Sequence, residues 1–184
     1  MIISQNLTIS ALKAQLYGGV AFLIGAPLLV WPYQLIWNVD IFAKPDRSTL
    51  SGLFLFIATM FVGIVVHELI HGFTAVWYGR VRWQDIKFGV IWKAMTPYCH
   101  STVPMTTQKY RVVVVMPLIV LIPYVMALVT GNGRLLAFGA FFTLAAIGDL
   151  MILWMVRNLR PDGLVQDHPS KVGLLIVSPT ANLQ

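Results

Sequence analysis

The residues of this chain best suited to chemistry are two histidines and the glutamate between them, in the run His67-Glu68-Leu69-Ile70-His71. Histidines four apart on a helix share one face, so both imidazoles can converge on one Zn²⁺. A glutamate directly after the first is placed as general base toward a water on that ion. The surroundings sharpen the pattern. Leu53 to Val66 precede it and Gly72 to Tyr78 follow, a stretch of almost pure hydrocarbon. Charged and polar groups in a bilayer-length helix cost several kcal/mol unless a metal, a cavity or a partner compensates them. The run therefore predicts a zinc hydrolase built within a membrane, with Glu68 catalytic and His67 and His71 on the metal.

A catalytic zinc site takes three protein ligands and keeps a position open for water, so a third ligand must come from elsewhere. Asp149, in Ala145-Ala146-Ile147-Gly148-Asp149, ranks first among the seven acidic residues and two further histidines. It is the only acid in its apolar segment, and Gly148 before it permits close approach of another element. Its depth also matches. Asp149 lies eight residues before Arg157, about 12 Å along a helix, while His71 and His67 lie nine and thirteen before Arg80, about 13 to 20 Å. The plain alternative is a hydrogen bond from Thr74 or Thr143 to Asp149 without any metal. Cys99 is the rival third ligand, because thiolate binds zinc well and it adjoins His100. His100 and His168 sit in polar segments and read as surface histidines. With Asp167 they stand in reserve as ligands, as hydrogen-bond partners of a ligand or as parts of a substrate loop.

The elements that must carry these residues are apolar. Of 184 residues 58% are hydrophobic and only 11% charged, against about 25% charged in an ordinary soluble domain. The composition predicts an all-α membrane protein forming one integral domain over residues 1–184. Four spans are expected, at about 16–37, 50–78, 112–129 and 135–156. Pro27 and Pro32 predict a kink in the first, where Trp31, Tyr33 and Trp37 suggest an interfacial aromatic belt. Gly131-Asn132-Gly133 predicts a tight turn joining the last two spans. Between the second and third, residues 81–110 read as strand-like, because Ile86, Phe88, Val90 and Trp92 alternate with their neighbours. Residues 158–184 read as a polar tail.

With four spans, Lys and Arg number ten on the side of both termini and three on the other, which predicts both termini in the cytoplasm. The same bias accounts for the net charge of +6 without nucleic acid. The single cysteine excludes an intrachain disulfide. The amino end lacks the basic start of a cleavable signal peptide.

Taken together, the His67–His71 helix, Gly148-Asp149 in a later span and the strand-like segment between them resemble intramembrane metalloproteases of the site-2-protease type. The chain is more closely similar to a small bacterial membrane family called putative zincin peptidases, which shares these motifs and an Asp-His-Pro tail, here Asp167-His168-Pro169. The resemblance runs from about Leu50 onward. It implies zinc held by His67, His71 and Asp149, Glu68 as base, and a membrane-embedded protein or peptide as substrate in a bacterial cytoplasmic membrane. Site-2 proteases usually place the third ligand in an Asp-Gly, whereas Leu150 follows Asp149 here. Two other activities suit the same residues. One is hydrolysis of a lipid amide or ester, which calls for a lipid-facing groove. The other is a non-enzymatic metal-binding scaffold, which calls for a fourth ligand.

Overall fold

The computed structural model of the protein describes residues 2–39, 50–92 and 96–178. Among them, four helical stretches are long and apolar enough to cross a bilayer: Leu12–Trp37, Leu50–Trp77, Thr107–Thr130 and Gly133–Val156. The strand β1 (Ile2–Ile9) comes before the first of them. The first two stretches are the unbroken helices α1 (Ala11–Trp37) and α2 (Leu50–Trp77). The third begins at Thr107, inside the region the sequence reads as strand-like. It divides into α3 (Thr107–Val115) and α4 (Leu121–Thr130) around a 3-10 segment at Met116–Val120. Pro117 explains the change of winding, since it offers no amide to the helical ladder. The fourth breaks at Ala146 into α5 (Gly133–Ala145) and α6 (Ile147–Val156). Leu23, Phe54, Phe61, Val129 and Trp154 stand exposed on these helices, apolar surface that suits hydrocarbon better than water.

The fold is not all-α. β2 (Ile86–Ile91) and β3 (Thr96–Ser101) form the expected antiparallel hairpin. A second sheet, unexpected, joins β4 (Met105–Thr106), β5 (Leu164–Asp167) and β6 (Val172–Ser178) to the amino-terminal strand, in the order β1-β6-β5-β4. Part of the region read as a polar tail is thus strand. Its apolar residues come in two short islands, Leu164-Val165 and Leu174 to Val177, and Val165, Leu174 and Val177 are buried.

The chain gathers into two compact units. One comprises Met1–Tyr17, Glu68–Pro117 and Gly148–Gln184, and its core includes Ala75, Val81, Tyr110, Val156, Val165 and Leu174. The other comprises Gly18–His67 and Leu118–Ile147, centred on Tyr33, Ala127 and Leu136. In this second unit one of the residues read as a lipid-interface belt, Tyr33, is buried in the protein instead, whereas Trp37 stays exposed while bonding a backbone carbonyl. The Tyr33 hydroxyl donates to the carbonyl of Gly131 at 2.5 Å, and Trp37 Nε1 donates to that of Leu128 at 3.1 Å. Gly131 ends α4 in the left-handed region, φ 70°, and the Asn132 side chain caps α5.

Candidate metal centre

His67 and His71 lie one turn apart on α2, both buried. Asp149 is the third residue of α6. The break at Ala146, the one residue between α5 and α6, places the carboxylate in the first turn of the second of these helices. One nitrogen from each histidine and one carboxylate oxygen of Asp149 lie within 4.8 Å of one another. Among the described residues, this cluster has three members.

His71 is oriented by a backbone group. Its Nδ1 stands 2.9 Å from the carbonyl oxygen of Val113 on α3, and only an N–H can face an acceptor there. Nε2 points the other way, 3.2 Å from Asp149 Oδ1. A nitrogen lone pair and a carboxylate oxygen at that distance require a cation between them, a proton or a metal ion. Two ligands of a tetrahedral zinc with bonds of about 2.0 Å are separated by roughly 3.3 Å. The observed spacing fits a shared ion, and His67 adds the third donor. Two imidazoles and a carboxylate form a donor set that zinc accepts readily, so the residues present fit the metal.

A cavity of ≈ 170 Å³ adjoins the cluster, lined by Glu68, His71, Tyr110, Asp149 and Asp167 and by β3. At about 30 Å³ per water molecule it has room for several. Five consecutive residues of β3, Thr96 to His100, face it, whereas β2 contributes only Ile91. A strand presenting one face would contribute alternate residues. It is therefore the edge of β3 away from β2, which pairs with no strand among the described residues, that borders the cavity.

The reserve residues separate here. Cys99, His100 and Asp167 line the cavity. Burial pushes the Cys99 thiol well above its ordinary range, and the charges of Glu68 and Asp167 act in the same direction. His100 stacks on Tyr98 with ring centroids 4.3 Å apart, and burial lowers its pKa. Asp167 accepts the Ser101 amide and the Tyr110 hydroxyl, both at 2.7 Å. Burial raises its carboxyl from the usual range, against the opposing influence of His100 and these hydrogen bonds. His168 serves elsewhere. Its Nδ1 accepts the amides of Ser170 and Lys171 at 3.1 and 3.0 Å, closing the β5–β6 turn.

Three contributors have no motif to mark them. Val113 acts through its carbonyl, so its side chain carries no signal. Tyr110 is a lone phenol at the start of a span. Arg111, counted in the sequence only as a flanking charge, donates from Nη2 to the carbonyls of Val156, Arg157 and Leu159 at 2.6, 2.9 and 2.9 Å. It thereby caps the carboxyl end of α6, the helix that carries Asp149.

A family model described as "Putative zincin peptidase" matches residues 60–163. No curated protein and no solved structure matches the chain.

Proposed function

The chain belongs to the family described as "Putative zincin peptidase", and from that premise we propose that it is a zinc-dependent endopeptidase of the site-2-protease type, cutting peptide bonds of membrane-embedded substrates. One observation carries this reading. His71 and Asp149 of the three-residue cluster, Glu68 and the edge of β3 away from β2 line one cavity, and a ligand nitrogen of His67 lies within 4.8 Å of the ligand atoms of the other two.

His67, His71 and Asp149 would hold the ion, with the Val113 carbonyl fixing the ring of His71 and Arg111 steadying α6 behind Asp149. A zinc ion held there supplies Lewis acidity, which makes water a nucleophile near neutral pH and polarises a carbonyl. Glu68 takes the proton from the attacking water and delivers it to the leaving amine nitrogen. A helical substrate cannot be cut while its carbonyls are bonded within the helix. It must unwind, and the β3 edge can hold the unwound segment extended through main-chain hydrogen bonds.

That edge favours a peptide over a lipid amide or ester, for which a groove without strand polarity would suffice. The three-membered cluster favours an enzyme over a scaffold, since three protein ligands leave a position for water. We place the protein in a bacterial cytoplasmic membrane with both termini in the cytoplasm, its partners being lipid and a membrane protein or peptide, not nucleic acid.

The test is Glu68→Gln in purified protein. Cleavage of a transmembrane model peptide should be abolished while zinc stoichiometry, measured by elemental analysis, stays near that of the parent. Cleavage at the parental rate would remove Glu68 from the chemistry, and absence of zinc from the parent protein would remove the metal.

A further inference from the structure

The hydrogen bond from the Ser101 amide to Asp167 fixes which groups of β3 point into the cavity. In an antiparallel pair, alternate residues turn both their N–H and C=O toward the partner strand, and the others turn both away. Ser101, paired with Ile86, directs its amide to Asp167 Oδ2 and so away from β2. By alternation Cys99 and Pro97 also face outward. Pro97 agrees independently: it has no N–H, and proline in a strand occupies positions where the ladder requires none. The outward groups are thus the carbonyl of Pro97, the N–H and carbonyl of Cys99, and then Ser101, whose N–H is already taken.

We propose that Asp167 is a positioning residue for substrate: by occupying the Ser101 amide it closes one end of the β3 edge, confines a docked peptide to Pro97–Cys99, and thereby selects a single register for cleavage. This rests on the peptidase reading above and deepens it. The carboxylate is held for the task from both sides, since Tyr110 donates to its other oxygen from α3. Asp167 itself comes from β5, so the tail sheet sets the length of an edge that belongs to the hairpin. An extended segment finds three partners there. Two are acceptors two residues apart, Pro97 and Cys99, and one is a donor, the Cys99 amide. Ser101 also turns its carbonyl outward, but a residue docked opposite it would need the place that the Asp167 carboxylate holds at the Ser101 amide. Without Asp167 the edge would lengthen by both groups, and a strand could settle two residues further along, the repeat of outward-facing groups.

The test replaces single backbone amides of a transmembrane model peptide with esters. Binding is measured to the full-length Glu68→Gln protein, and products of the Glu68-containing protein are mapped by mass spectrometry. With Asp167 present, two ester positions, two residues apart, should each weaken binding about three- to tenfold, and one bond should be cut. Asp167→Ala should add a third sensitive position and a second product displaced by two residues. Asp167→Asn retains an oxygen for the Ser101 amide and an NH₂ group for the Tyr110 oxygen, so it should restore the single register.

An unchanged ester pattern and cleavage site in Asp167→Ala would make Asp167 a structural residue only and overturn the proposal. The parent scan needs no Asp167 variant, so it decides even if Asp167→Ala fails to fold: three or more sensitive positions, or none, overturn the proposal. A parent protein that shows the two-position binding pattern yet cuts nothing would instead overturn the peptidase reading and leave the edge assignment standing.

Discussion

The thiol of Cys99 shares its cavity with the carboxylates of Glu68 and Asp167, and burial together with their charge holds its proton in place. An ordinary cysteine titrates near pH 8.5, so its alkylation climbs steeply between pH 7 and 9. Cys99 should show almost no such climb in the folded protein and recover it on denaturation. Iodoacetamide rates across that range check this, and a free-cysteine pH profile in the native state would contradict the buried placement. At this scale much of the candidate site was legible in the sequence. His67, Glu68, His71 and Asp149 betray themselves because polar groups at bilayer depth are costly and so are seldom accidental. The partners that orient them were not legible. The Val113 carbonyl belongs to the backbone, which every residue has, and Arg111 looks the same whether it marks a membrane boundary or caps a distant helix.

The β5–β6 turn depends on a neutral ring. His168 Nδ1 accepts two amides, which an imidazolium cannot do. Burial, and after it the charge of Lys171, lowers the His168 pKa. The unfolded chain, with an ordinary value near 6.5, therefore takes up the proton more readily than the folded one. The stability contributed by the neutral ring is full above about pH 6.5 and is lost as pH falls below it toward the folded value. His168→Ala should cost about 1–2 kcal/mol at pH 7.5 by leaving two amides without their acceptor, and less at pH 5. Unfolding in detergent at both pH values measures this, and an equal cost at both would rule out the ring as the acceptor. Legibility at this scale divides by pattern length. The long apolar helices and the alternating β2 announce themselves over many residues. β5 and β6 do not, because four- and seven-residue strands beside charged and proline-containing turns leave too short a pattern, and β1 mixes polar and apolar residues with little periodicity.

The first strand of the chain pairs with the last, with Ile2 opposite Ser178 and Ile9 opposite Val172. A chain whose residues 2–9 and 172–178 share one sheet must cross a bilayer an even number of times between them, which agrees with four candidate spans among the described residues. Cysteine-accessibility labelling in intact cells should therefore find residues 4 and 171 on the same, cytoplasmic side. Labelling of either from outside would refute the proposed orientation. The count of spans and the charge bias were readable from composition, because hydrocarbon thickness and lysine placement are one-dimensional properties. The second sheet was not, since it depends on contacts more than 160 residues apart. That long-range pairing has a consequence for biogenesis. As a ribosome feeds the chain out in order, both histidines and Asp149 emerge while β1 still lacks its neighbour, and the strand that carries Asp167 comes later still. The strand proposed to set the register is thus made after the candidate ligands, so a nascent molecule carries them before it has the proposed means of aiming a substrate at them.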